Sequence, residues 1–289
     1  MNNQLTILDG GMGREIKARL ESFDPVLWSA TAFLHHPQII VDIHCDYIDA
    51  GAKVITTNNY TVVPSILHQT GYEDQFEAFT KHAGKLAKQA QQTTTSSAKI
   101  AGCIPPLQSS YRPDLVVADH EGIPIYQQIA QWLDPTVDLF LCESMSSINE
   151  AKMALTALKS IDKPIWVSFI LDDHHPTQLL SGESVDTIAS KLSSFSVDAI
   201  LFNCCHVTSI STALPLLNFS GTTGGYANSF KQLPKNWDHS RGKLRESDQL
   251  MTANNYVTHA SEWQALGASI IGGCCGIGIE HIQALSDSL

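Results

Sequence analysis

Four of the seven cysteines in this chain fall in two adjacent pairs, Cys204-Cys205 and Cys274-Cys275. The second pair stands inside Gly272-Gly273-Cys274-Cys275-Gly276. Glycines on both sides give the backbone access to unusual angles, so both thiols can turn toward one point. A vicinal disulfide is the rival reading. It is strained, and a reducing compartment disfavours it. Cys204 offers a third thiolate, while strand alternation should point Cys205 the other way. Three sulfur ligands and an open fourth position form the pattern of catalytic zinc. His206, next in sequence, is the rival fourth ligand, and with it the site would close into a structural one.

Charge then suggests the reaction. Zn²⁺ with three thiolates carries one net negative charge and is a poor Lewis acid for a carbonyl. It can instead hold a fourth sulfur as thiolate at neutral pH, although a free thiol has a pKa of about 8.5. The expected chemistry is alkylation of a substrate thiol. Asp9 and Glu143 add two carboxylates, and an ammonium needs such a partner. The plainer reading of each is a cap on the next turn. Cys45, Cys103 and Cys142 are isolated and read as core packing.

These residues need strand ends to hold them. Short apolar, β-rich runs recur at Leu5–Leu8, Val54–Thr57, Ile100–Ile104, Leu139–Glu143, Ile165–Leu171, Ala199–Asn203, Thr222–Tyr226 and Ser269–Gly272. Helical patterns lie between them: Pro37–Ala50, Asp74–Gln92, Pro124–Leu133, Ser147–Ser160, Ser184–Ser193, Ile210–Leu217 and Glu246–Leu266, with a last helix over Glu280–Leu289. Such alternation predicts a parallel sheet of right-handed crossovers. Eight units in 289 residues fit a closed (β/α)₈ barrel in a single domain. A doubly wound open sheet is the alternative. In a barrel the C-terminal strand ends face the active site. Asp9-Gly10-Gly11, Thr57, Glu143, Asn203-Cys204 and Cys274-Cys275 all fall there. The stretch Asn228–Asp248 reads as a long loop after strand seven.

The net charge is −11, and hydrophobic residues make up 43%. A duplex nucleic-acid binder would carry the opposite balance, so small molecules are the expected partners. No stretch reaches transmembrane length. The start, MNNQLTILDGG, lacks the pattern of a secretory signal, which suits a cytoplasmic protein. The glycine run is not a dinucleotide fingerprint, because Ile16 stands where a third glycine belongs.

The chain resembles the zinc-dependent homocysteine S-methyltransferases. This family includes the S-methylmethionine and betaine enzymes and the homocysteine module of cobalamin-dependent methionine synthase. Leu8-Asp9-Gly10-Gly11-Met12-Gly13 looks like the family's opening motif. Leu27-Trp28-Ser29-Ala30, His44 to Tyr47, Ala50-Gly51-Ala52 and Thr57 to Tyr60 follow in the family's order. Asn203-Cys204 is similar to its first zinc-ligand motif. Gly272-Gly273-Cys274-Cys275-Gly276 with His281-Ile282 is similar to its second.

The resemblance implies a homocysteine-binding (β/α)₈ barrel over residues 1–289, with zinc on Cys204, Cys274 and Cys275. It implies methyl transfer to homocysteine, giving methionine. By position, Asp9 and Glu143 match the residues that hold the substrate amine. Gly10, Gly11 and Thr57 match positions near its carboxylate, and Asn203 belongs to the same substrate-binding set. The chain departs from the family after strand three. A Gly-Pro-Tyr-Gly type of turn is replaced by Ile104-Pro105-Pro106-Leu107-Gln108, followed by Tyr111-Arg112-Pro113-Asp114. The donor therefore stays open among S-methylmethionine, S-adenosylmethionine and betaine, in that order of preference. Trp28 and Tyr60 could face a donor cation, or simply pack in the core. Another thiol or selenol as acceptor, and a non-catalytic thiol-binding barrel, are the competing readings.

Overall fold

The computed structural model describes residues 5–231 and 251–289. Eight parallel strands form one sheet: β1 Thr6–Ile7, β2 Val54–Thr56, β3 Lys99–Ile104, β4 Leu139–Met145, β5 Ile165–Phe169, β6 Ala199–Asn203, β7 Thr222–Tyr226 and β8 Ile270–Ile271. Their order is β1-β8-β7-β6-β5-β4-β3-β2. The two ends of this order meet through a single parallel bridge, Leu8 with Val54. Beside it, Lys53 N–H donates to Ile7 O at 2.7 Å and Asp9 N–H to Val54 O at 3.0 Å. The chain is a (β/α)₈ barrel, and the open-sheet alternative falls away.

Eleven helices are described: α1 Met12–Arg19, α2 Ala32–His35, α3 Pro37–Asp49, α4 Pro64–Thr70, α5 Phe76–Thr93, α6 Asp119–Leu133, α7 Ile148–Ala157, α8 Ile188–Leu192, α9 Val207–Ala213, α10 Ala253–Ala265 and α11 Ile279–Ser288. Three differences from the sequence reading have physical causes. First, α1 occupies Met12–Arg19, a stretch to which the sequence reading assigned no helix. Second, α6 begins at Asp119 and not at Pro124, because the proline is accommodated inside the helix. Third, α7 begins after Ser147, whose hydroxyl accepts the Glu150 N–H at 3.1 Å as an N-cap. Of the expected loop Asn228–Asp248, residues 232–248 lie outside the described residues, as does the expected start of the helix at Glu246.

Two apolar layers build the core. Leu8, Val54, Ala101, Leu139, Leu141, Ala199, Leu201 and Ile270 fill the barrel interior. A larger layer lies between the strands and the helices. Period-two alternation then sets the upper rim. Leu139 and Leu141 point inward, so Glu143 follows them in. Ala199 and Leu201 do the same for Asn203.

Candidate active site

Regular alternation would turn Cys204 away from the barrel axis. It does not do so, because Cys204 adopts a left-handed backbone with φ 52°, a conformation uncommon outside glycine. On β8 the turn after the strand closes with an Ile277 N–H bond to Cys274 O at 3.0 Å. Gly276 takes φ 82° within it, a value that a residue without a β-carbon adopts at no steric cost. Gly11 approaches the same turn so closely that a β-carbon would stand 2.6 Å from Cys274 O.

The three sulfurs of Cys204, Cys274 and Cys275 lie within 4.8 Å of one another. Cys204 and Cys274 stand as a disulfide with α-carbons 5.7 Å apart. The pairing joins two strands, so the vicinal alternative is not what forms. Reduction returns three thiols to one point. Soft sulfur donors at this spacing suit a tetrahedral ion with metal–sulfur bonds of about 2.3 Å. No fourth His, Cys, Asp or Glu joins this group among the described residues. The donor set therefore fits a metal with one position open. Cys205 packs into the layer between strands and helices and is fully buried, on the opposite side from Cys204 because the left-handed Cys204 breaks the alternation. His206 is no ligand, because its ring turns to cap α9 and its Nδ1 lies 2.8 Å from Thr208 Oγ1.

The sulfurs face one cavity with about 880 Å³ of empty space, open solvent included. Asp9, Gly10, Gly11, Thr57, Glu143, Cys204, Cys274 and Cys275 all line it. Asn203 does not. It is fully buried, and its Nδ2 donates to Ser144 Oγ at 2.6 Å. Ser144 is itself left-handed, with φ 59°, at a register shift in β4. Asn203 thus braces the strand end that carries Glu143. Thr57 lines the cavity, yet its hydroxyl is committed: it donates to Asn59 Oδ1 at 2.7 Å and accepts the Cys103 N–H at 2.9 Å. It has no remaining side-chain donor for a carboxylate.

The two carboxylates are held by different means. Asp9 accepts the Thr56 N–H at 2.7 Å and the Thr56 hydroxyl at 3.3 Å. Burial still pushes its carboxyl up to about 8, and the nearby Glu143 adds to the rise. Glu143 accepts the Tyr226 hydroxyl at 3.3 Å and the Cys103 thiol at 3.2 Å. Burial raises it as well, while those two bonds oppose the rise. Tyr226 is fixed in turn by Ser168 Oγ at 2.7 Å. Two buried acids, both inclined to keep a proton, thus line one cavity.

Sequence reasoning missed several lining residues. Arg14 lies in the overlooked α1. Ser110 directly precedes Tyr111, which the sequence had already singled out in the departing loop, and Ser110 Oγ lies 2.5 Å from Tyr60 OH. The signal for that loop was its place directly after a strand end. Trp28 and Tyr60 both line the cavity.

The homocysteine S-methyltransferase family profile matches residues 6–289. The chain belongs to the homocysteine S-methyltransferase family. It is an enzyme of that type. Homocysteine S-methyltransferase from Escherichia coli strain K12 is 27% identical, over 97% of this chain and 94% of that protein. Homocysteine S-methyltransferase YbgG from Bacillus subtilis strain 168 is 25% identical, over 98% and 93%. Among solved structures, the metallated form of the homocysteine methyltransferase MmuM from Escherichia coli superposes with a TM-score of 0.82 at 26% identity. It covers 98% of this chain and 96% of that one. The oxidized form of the same protein reaches 0.81 at 25% identity, over 98% and 95%. No helix among the described residues is long and apolar enough to cross a membrane.

Proposed function

We propose that this family member moves a methyl group from a sulfonium donor to the sulfur of L-homocysteine, giving L-methionine. S-methylmethionine is the preferred donor and S-adenosylmethionine the next. Residues 1–289 serve as one homocysteine-binding barrel domain. The single observation behind this reading is the shared cavity: three convergent cysteines on one wall and a buried acid pair on another. Homocysteine carries a thiol and an ammonium, one for each wall.

Cys204, Cys274 and Cys275, once reduced, would hold zinc, and zinc bound there keeps an approaching thiol deprotonated at neutral pH. Asp9 and Glu143 receive the ammonium as carboxylates, giving up any proton they hold. Gly11 brings the end of β1 against the cysteine turn, so acid and sulfur sites stay in register. The homocysteine thiol proton leaves to solvent. Its sulfur attacks the donor's methyl carbon and forms the new S–CH₃ bond. The old S–CH₃ bond breaks, and its electron pair stays on the departing sulfur as a neutral thioether. Alignment of the two sulfurs about the methyl group supplies the rest. A positive donor is favoured beside Trp28 and Tyr60, whose aromatic faces attract cations.

A selenocysteine methyltransferase from Astragalus bisulcatus is 24% identical to this chain, which keeps a selenol as a second acceptor. The test is methionine formation by reduced, zinc-loaded protein given homocysteine and each donor in turn. Turnover with one sulfonium donor, lost in Cys274→Ser, carries the reading. Turnover only with selenocysteine moves it to the second acceptor. No turnover with either acceptor overturns it.

A further inference from the structure

Trp28 holds a left-handed backbone, φ 51°, an outlier for so bulky a residue. Such a conformation persists only where the surroundings over-determine it. Part of that support is local. The Trp28 N–H donates to Asp24 O at 2.9 Å, and Asp24 Oδ1 accepts the N–H groups of Val26 at 2.7 Å and Leu27 at 3.1 Å. A second part comes from the segment after β2. Thr61 Oγ1 donates to Leu27 O at 2.5 Å, and Asn58 Nδ2 donates to Ser29 O at 3.1 Å. A carbonyl only accepts, so the amide end that meets Ser29 is Nδ2. The two carbonyls belong to the residues immediately before and after Trp28. Leu27, Ser29, Asn58 and Thr61 are all buried, so water does not compete for either bond.

This clamp has a consequence at the cavity, which Trp28 lines. The indole packs on the α-carbon of Gly13 and stands edge-on to Phe23, with ring centres 5.4 Å apart and planes at 78°. A turn of the Trp28 backbone toward the right-handed region would carry the indole off Gly13. Thr61 is not among the described residues that line the cavity, so its hydroxyl reaches a ligand only through the Trp28 loop. Asn58 does line it, yet its donor group is spent on Ser29.

Resting on the methyl-transfer reading above, in which a sulfonium donor lies beside Trp28, we propose that Thr61 and Asn58 are positioning residues for the donor. Through the carbonyls of Leu27 and Ser29 they hold the Trp28 backbone left-handed and its indole against the sulfonium. Neither acts on the acceptor.

The test uses the full-length, reduced, zinc-loaded protein. Thr61→Val removes the hydroxyl at near-constant volume, and Thr61→Ser keeps it. Loss of one buried hydrogen bond should raise KM for S-methylmethionine about 3- to 10-fold in Thr61→Val. The kcat should move less, and the Kd of homocysteine should stay unchanged. Thr61→Ser should recover most of the loss. Asn58→Ala should repeat the effect, which keeps the test decisive should Thr61→Val fail to fold. Adding Thr61→Val to Trp28→Ala should raise the donor KM no further, because the effect passes through one side chain. Fluorine NMR of fluorotryptophan-labelled protein reads the clamp without turnover. The Trp28 resonance should shift in Thr61→Val and Asn58→Ala, while those of Trp132, Trp166 and Trp263 stay in place. An unmoved Trp28 resonance, an unchanged donor KM, a homocysteine Kd raised as much as the donor KM, or additive losses in the double variant each overturns the proposal. Suppose wild-type protein forms no methionine, yet binds S-methylmethionine by calorimetry and loses that affinity in Thr61→Val. The methyl-transfer reading then falls and the clamp stands. Wild-type protein that neither binds nor demethylates S-methylmethionine overturns both.

Discussion

The indole of Trp28 closes on the α-carbon of Gly13. A β-carbon at position 13 would stand 2.0 Å from Trp28 Nε1 and 2.2 Å from Cε2. Trp28 reaches this place with a left-handed backbone, φ 51°.

Two effects oppose each other in Gly13→Ala. Helix propensity favours alanine inside α1 by about 1 kcal/mol. Overpacking against a rigid ring costs about 1–3 kcal/mol. The clash distance is far below contact, so the second effect should win. Urea unfolding is expected to show a net loss, and steady-state kinetics a donor KM raised about tenfold with homocysteine binding kept. A variant as stable as wild type, with unchanged donor KM, would show that Trp28 moves aside freely.

Asp9 gives a pH prediction. Its folded value, about 8, lies above the ordinary 3.8. The folded protein therefore keeps a proton that the unfolded chain loses. The contribution of Asp9 to stability is full below about pH 4 and is lost as pH rises through 8. The difference in unfolding free energy between wild type and Asp9→Asn should change by about 1.4 kcal/mol per pH unit inside that window. A flat difference between pH 5 and 8 would refute the raised value.

The same proton must leave when an ammonium arrives. Binding of 2-aminobutyrate, which has the ammonium and no thiol, should release protons below pH 8 and tighten as pH rises toward 8. Calorimetry in buffers of different ionisation enthalpy reads this directly. No proton release would mean that the acid pair is already ionised.

Metal retention should follow the geometry and not the pairing of cysteines in sequence. Cys275→Ser and Cys204→Ser are expected to lose bound zinc and at least about 1000-fold in methyl transfer, on the scale of losing a metal's chemistry. Cys205→Ser, next door but facing the core, should keep its zinc. Stripping with a chelator should abolish transfer, and zinc should restore it. Full zinc content in Cys275→Ser would remove it from the ligand set.

Much of this site was legible because strand ends carry it. β6 and β7 fall on their expected bounds, and Glu143 follows from the inward alternation of Leu139 and Leu141. The turn at Gly276 followed from glycine chemistry, and alternation said that one of Cys204 and Cys205 and not both would face the site, while the left-handed Cys204 that decides which one was not legible. What stayed hidden depends on the fold. Gly11 and Gly13 masked α1 and therefore Arg14, since glycine argues for a turn until Trp28 supplies the reason for it. The commitment of the Thr57 hydroxyl depends on Asn59 and Cys103, and the latter is distant in sequence. The bracing role of Asn203 depends on the left-handed Ser144, which no propensity announces.

The barrel closes between β1 and β2 through one bridge, and the Asp9 carboxylate sits across that joint, tied to Thr56 on the far side. An ammonium that draws on the same oxygens competes with the stitch that keeps the seam shut. In the proposed reading, the side chain that would hold the acceptor's ammonium is also one that adds to the backbone bonds closing the barrel. If Asp9 holds the substrate as proposed, a tighter grip there draws on the oxygens that also bond Thr56 across the joint.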